Sequence, residues 1–360
     1  MSILAAIGVL ALLIVVHELG HFAAARLQGI HVNRFSIGFG PILLKYQGAQ
    51  TEYAIRAFPL GGFVGFPDDD PECEIPPDDP DLLSNRPILD RAIVISAGVI
   101  ANLIFAYFVL VGQAATVGVY QPSQPGVLIP RVVENSPADE AGLKAGDIIL
   151  VANNQELEMS AEVRDIFQEI IQNSPNEPVN IIVQRNTQTL DLTVIPEGNA
   201  KGKGRIGVAL EFNGEFIRNR LSITEAFSSG SYEFQRFTSL TVDGFWKLIS
   251  NFKETAKQVS GPVKIVEYGA NIAKNDAGSL FEFAALISIN LAIINILPLP
   301  ALDGGQLIFL IIEGLLGKPL PVKLQEGIMQ TGLVLLLSLG MFLIVRDTVN
   351  LAIFQDLISR

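Results

Sequence analysis

The chain has a single cysteine, Cys73, among its 360 residues, and only three histidines. One thiol excludes an internal disulfide and every multi-cysteine metal cage, so a metal here needs histidine and carboxylate ligands. Cys73 itself reads as a solvated bystander. Basic residues are scarce as well: 25 Lys and Arg against 37 Asp and Glu leave a net charge of −12, and no basic stripe appears. Nucleic acid is thereby excluded as a partner, since its recognition needs positive surface to neutralise phosphates. Several long runs lack charge of either sign.

Those runs set the class. Hydrophobic residues make up 49% of the chain and its mean hydropathy is positive, as in membrane proteins. No charge occurs from Met1 to Val16, and the apolar run resumes after His17, Glu18 and His21 through Ala25. Ala92 to Val119, Phe283 to Leu302 and Gly327 to Val345 are three more uncharged stretches long enough to cross about 30 Å as helices. Four crossings put both termini on one side. A cleaved secretory signal is disfavoured, because the basic region that would precede it is missing.

Arg26, Arg34, Arg86 and Arg91 flank the loop between the first two crossings, and Lys318 and Lys323 lie between the last two. By the positive-inside bias these loops are cytoplasmic, which puts the segment from about 120 to 280 on the opposite face. A chain that starts directly in a crossing, without an Arg- and Ser-rich leader, is expected in a bacterial plasma membrane. His31 to Phe66 alternates apolar and aromatic residues with glycine, as in FSIGFGPILLKY and EYAIRAFPLGGFVGF, and reads as hairpins dipping into the bilayer beside the first crossing. The acidic, proline-rich stretch that follows, to about residue 87, reads as a flexible tether.

The first crossing contains His17-Glu18-Leu19-Gly20-His21. On a helix, a spacing of four puts both imidazoles on one face, where two nitrogens can grip one zinc. Glu18 beside them is placed to take a proton from an activated water and pass it to a leaving amine. Ionisable groups inside a crossing are costly, which makes a chance match poor. A catalytic zinc wants a third protein ligand, and His31, Glu313 and Asp303 are the candidates. Asp303 follows Asn295-Ile-Leu-Pro-Leu-Pro-Ala-Leu, where Pro298 and Pro300 must unwind the third crossing and let a carboxylate turn inward. The bland readings are a surface cap for Asp303, a snorkelling His31 and a surface helix for Glu313.

HELGH in the first crossing, NILPLPALDGG in the third and a PDZ-like insertion between the second and third resemble the site-2 protease family of intramembrane metalloproteases. The likeness is to the bacterial branch that includes the regulator-of-sigma-E protease, and SAGVIANLIFA and Ser260-Gly261-Pro262 also resemble that branch. The resemblance implies one zinc per chain on His17, His21 and Asp303, with Glu18 as general base. It also implies that Asn295 and Asn290 hold substrate backbone near the metal. Asn102, an amide inside a crossing, points to a polar cleft and joins them as a substrate-binding candidate. A two-histidine, one-carboxylate set would also accept iron.

The expected fold is thus a multi-pass α-helical membrane protein with four transmembrane helices, a membrane-associated β-hairpin sheet over 27–67 and an inserted α+β PDZ domain over 120–199. NSPADEAGLKAGDIILVANNQ supplies a helical turn, a Gly-Asp corner and a strand, with a helix and two strands after it. Gly126, Val127 and Leu128 are the loop expected to receive a peptide terminus; a plug over the active site that binds no peptide is the alternative role for such a domain. The stretch 200–280 reads as amphipathic helices at the interface, 281–305 as the third crossing, 306–326 as a cytoplasmic loop or short helix, and 327–346 as the fourth crossing. The implied substrates are single-span membrane proteins already trimmed outside the membrane, such as anti-sigma factors, or signal-peptide remnants. A zinc-holding membrane scaffold is the non-enzymatic alternative, and a metal transporter lacks polar groups across enough crossings.

Overall fold

The computed structural model describes residues 2–70, 75–199, 202–255 and 259–349; Cys73 and most of the tail after 347 lie outside them. The chain divides into two compact units, Met1–Gln113 with Thr224–Arg360, and Ala114–Ile223.

The first unit opens with α1 (Ser2–Leu27), apolar on every side, and continues through β1 (Arg34–Gln47), β2 (Glu52–Gly65) and α2 (Ile88–Thr116). A helix without a polar face needs an apolar surrounding. Four helices are long and apolar enough to cross a membrane: Ser2–Leu27, Ile88–Thr116, Ala277–Ile296 and Val322–Val349. The last of them exposes Leu333, Leu335 and Leu337, as a lipid-facing helix does.

β1 and β2 are more than a hairpin. Phe35 pairs with both Tyr53 and Val64, and Tyr53 pairs in turn with Tyr46. Both strands therefore bend, and their halves alternate across one sheet in the order 44–47, 52–55, 34–37, 62–65. The two inner segments, 34–37 and 52–55, run parallel. The positive φ of Gly38, Gly40 and Gly61 provides the corners, because a Cβ is strained there.

The same unit resumes with α5 (Ile223–Ser250), the short α6 (Phe252–Thr255), α7 (Pro262–Asn275), α8 (Leu280–Ile296), α9 (Asp303–Leu316) and α10 (Val322–Val349). α5 turns Ala226, Gly230, Phe237 and Thr241 inward, and Phe237 joins Ala106, Leu110, Ala285 and Ile289 in a core between α2 and α8. α7 lies on α1, where Gly269 has no room for a side chain beside Ala6 and Phe283. Its first turn receives the Asp347 carboxylate from α10, which accepts from the Lys264 N–H. The 200–280 stretch expected at the interface is therefore packed in part inside the protein, and its first portion belongs to the inserted unit.

The third crossing is not continuous through 305. α8 stops at Ile296, because Leu297 precedes Pro298 and takes an extended conformation. The chain then folds back through Ala301, at φ 70°, and restarts as α9 at Asp303. Gly304 and Gly305 lie against the carbonyls of Ile296, Leu297 and Leu299, where any Cβ would collide.

The inserted unit holds β3 (Val119–Pro122), β4 (Val127–Ile129), α3 (Pro137–Glu140), β5 (Asp147–Ala152), β6 (Gln155–Glu156), α4 (Val163–Gln172), β7 (Val179–Arg185), β8 (Gln188–Val194), β9 (Glu197–Gly198), β10 (Gly204–Arg205), β11 (Glu211–Phe212) and β12 (Phe216–Asn219). The main sheet runs β11-β4-β5-β7-β8, and α4 covers it with Val163, Phe167 and Ile171. Burying Phe167 completely contributes about 1.5–3 kcal/mol. Asp147 is buried beneath Arg185. Burial pushes its carboxyl up, but the Arg185 guanidinium and the Lys144 N–H more than offset this and hold it below the usual carboxylate range. Its stabilising contribution is present at neutral pH and is lost as acid protonates it.

The unit extends past the expected boundary at 199, since β11 and β12 complete its sheets. Gly126, Val127 and Leu128 do not form an open peptide loop: β4 is paired on one side with β5 and on the other with β11, and the Gly126 N–H is bonded to the Leu157 carbonyl. An open strand edge lies elsewhere in the unit. Val133 N–H donates to Gly207 and Ala209 N–H to Arg131, which turns the peptide groups of Val208 away from that pairing, in the direction of α4. A cavity of about 640 Å³ lies between this segment and α4, with Arg131, Arg164, Lys203 and Arg205 in its wall beside one carboxylate, Asp165.

Candidate metal centre

α1 brings His17 and His21 to one face, and the turn after α8 brings Asp303 to meet them. Oδ2 of Asp303 stands 3.3 Å from Nε2 of His17 and 3.5 Å from Nε2 of His21, and the two Nε2 atoms are 3.2 Å apart. Donors bound to one tetrahedral zinc at 2.0–2.1 Å stand about 3.3 Å from each other, so the three atoms already have the spacing of a ligand set. Asp303 Oδ2 is buried without a hydrogen-bond partner among the described residues, a costly state that a bound cation relieves. The residues fit zinc. No fourth His, Cys, Asp or Glu joins the group among the described residues, which leaves a position open, as catalytic sites require.

Of the other third-ligand candidates, Glu313 is only 3% exposed, on the inner face of α9, whose other face is exposed at Ile311 and Leu315. Its carboxylate accepts from Arg91 of α2 at 2.8 Å, from the Leu320 N–H and from Gln325. His31 lies 3.7 Å from Asp79, in a second group with Asp81 where Arg86 already pairs the Asp81 carboxylate.

Glu18 is half-buried beside the two histidines, with the Val64 backbone N–H facing its carboxylate. That contact comes from the edge of the bent sheet. The 62–65 segment is paired inward with 34–37, and the Asn33 N–H donates to the Gly65 carbonyl, so the peptide groups of Gly62 and Val64 point outward to α1. Gly62 touches Glu18: an added Cβ would stand 3.0 Å from its Cγ.

The three asparagines separate. Asn295, in the last turn of α8, has its amide nitrogen 3.4 Å from His17 Nε2 and is at the centre. Asn290 is not brought there; five residues along the helix it faces another way, into a cavity of about 580 Å³ against α5, with Leu240, Phe245 and Leu286. Asn102 is 0% exposed and its amide lies against the ring of His17, 3.3 Å from Nδ1. Sealed behind His17, Asn102 is out of a substrate's reach in this structure, which corrects that expectation. Gly98, one turn earlier on α2, touches both imidazoles so closely that a Cβ would overlap them.

The sequence model of peptidase family M50 matches residues 5–339. The chain belongs to peptidase family M50. A Nostoc sp. protein named as a zinc metalloprotease is 64% identical over 98% of this chain and 97% of its own length. The chloroplastic membrane metalloprotease ARASP of Arabidopsis thaliana is 47% identical over 99% of this chain and 81% of its own. Among solved structures, the PDZ domain of an SdrC-like protein from Listeria monocytogenes is 22% identical, covers 24% of this chain and 90% of that one, and has a TM-score of 0.22. This M50 protein is a metalloprotease of the membrane. Sequence reasoning singled out Asn102 but not its place, with Gly98, in a wall of α2 against the two histidines, because these contacts join positions some 80 residues apart.

Proposed function

We infer that the chain is an intramembrane zinc protease, with one zinc on His17, His21 and Asp303, which cuts single-span membrane proteins inside their spans once their outer part has been trimmed. The observation that carries this reading is the set of three donors meeting at one point within apolar helices, with Glu18 beside them and a position left open. A zinc ion supplies the Lewis acidity that polarises a peptide carbonyl and acidifies water. Glu18 takes the water proton on its carboxylate and delivers it to the leaving amine nitrogen. Asn295 donates its amide to substrate backbone beside His17.

A peptide bond in a helix is shielded by the helix's own hydrogen bonds, so the substrate must unwind. The outward peptide groups of the 62–65 edge offer an added strand its pairing beside Glu18, the Val64 N–H leaving the Glu18 carboxylate as the strand docks. The inserted unit is read as PDZ-like, and the open edge at Val208 with its basic wall suits an extended, anionic peptide terminus. Membrane-tethered regulators and signal-peptide remnants both suit the site. The loops before α2 and α10 are assigned to the cytoplasm and the inserted unit to the opposite face of a bacterial membrane; the kinship to chloroplast proteins makes an organelle the other setting.

The test uses a trimmed single-span substrate in liposomes and a series with one backbone N-methyl group moved residue by residue past the scissile bond. The expected result is cleavage of the parent and an alternating pattern, about tenfold slower at every second position, since a strand pairs through alternate residues. Uniform rates along the series would remove strand pairing; an uncut parent would remove the protease reading itself.

A further inference from the structure

We propose that Asn102 is the positioning residue for the zinc ligand His17: its amide oxygen accepts the Nδ1–H of the imidazole and so leaves Nε2 bare and aimed at the metal. This rests on the ligand assignment above.

The companion ligand shows the requirement. Nδ1 of His21 lies 2.8 Å from the Val94 carbonyl, a group that can only accept, so the His21 proton sits on Nδ1 and its Nε2 is free. Both controlling groups come from α2, two turns apart. For His17 the only group at Nδ1 among the described residues is the Asn102 amide, at 3.3 Å. The two ends of an amide have the same shape, and hydrogen bonding decides which one meets the ring. With NH₂ toward the ring, Nδ1 must accept and the proton moves to Nε2, the atom that points at Asp303 and His21. That tautomer cannot bind metal. With the oxygen toward the ring, His17 matches His21. Nothing among the described residues holds Oδ1 away from the ring, since it is buried and has no hydrogen-bond partner.

The residue is fixed for this task. Ser288 of α8 donates to the Asn102 backbone carbonyl at 2.8 Å, tying the two helices at this turn, and Gly98 one turn earlier lets both rings approach α2 closely. α2 is therefore the wall that sets the orientation of both histidines, and outer groups of this kind tune metal affinity by about 10- to 100-fold.

The experiment measures zinc affinity of the full-length protein in detergent by competition with a chelator, for wild type, Asn102→Asp and Asn102→Leu. Aspartate keeps the acceptor and cannot donate; leucine keeps the volume and does neither. The expected result is zinc binding about 10- to 100-fold weaker in Asn102→Leu and within about threefold of wild type in Asn102→Asp. Loss in both variants, or in neither, would overturn the assignment. If either variant fails to fold, NMR of isotope-labelled histidine in zinc-free wild type decides, with only three histidines to assign. A proton on Nδ1 of His17 supports the proposal and a proton on Nε2 overturns it. Wild type that binds no zinc would remove the metal reading as well, which separates the two failures.

Discussion

Glu18→Gln is expected to stop proteolysis while leaving zinc in place. The amide keeps the size of the carboxylate and its contact with the Val64 N–H, but it cannot take a proton from water. General acid–base catalysis is worth about 10²–10⁴-fold, and here one group serves both the attack and the departure of the amine, so the loss should lie at the upper end. The measurement is single-turnover cleavage of a trimmed single-span substrate, with zinc determined on the same sample. A fall in cleavage accompanied by loss of zinc would mean that Glu18 holds the site together and would take the proton-transfer role from it.

Asp303→Ala is expected to lose zinc, with affinity down by at least about 100-fold, more than outer groups are worth. The comparison that gives this result meaning is with the two other acidic or basic candidates. His31→Ala should bind zinc as wild type does, because its partners are Asp79 and the neighbouring acidic loop. Glu313→Ala should fail differently. It leaves the half-buried Arg91 and the Leu320 N–H without their partner, which costs about 1–3 kcal/mol in fold stability, so the protein melts early while what remains folded keeps its zinc. Zinc titration with thermal melting separates the three. Zinc bound as tightly in Asp303→Ala as in wild type would move the third ligand elsewhere.

The parts of this architecture written in local pattern could be read without coordinates. His17 and His21 announce themselves by their spacing, and Pro298 and Pro300 announce the break that frees Asp303. Apolar runs mark the crossings, although proline ends the third one sooner than its hydropathy does. What could not be read depends on partners distant in sequence. The interleaved order of the bent sheet requires Phe35 to find two partners, Tyr53 and Val64, and no periodicity encodes that. Asn290 and Asn295 lie in one apolar run, but five residues on a helix turn Asn290 away from His17 and Asp303. The strand edge of the inserted unit lies in RIGVAL, part of the stretch read as interfacial helix, and only its pairing with Arg131 and Val133 makes it extended. Gly126 to Leu128 looked like a binding loop because β11, the strand that covers it, comes more than 80 residues later.

The measurement that tests the central claim most directly is mass spectrometry of the fragments released from a single-span substrate in liposomes by purified protein, with zinc removed by a chelator and then restored. The account predicts new termini inside the apolar span, lost with zinc and recovered with it. Termini confined to the segments outside the span, or cleavage indifferent to zinc, would contradict it.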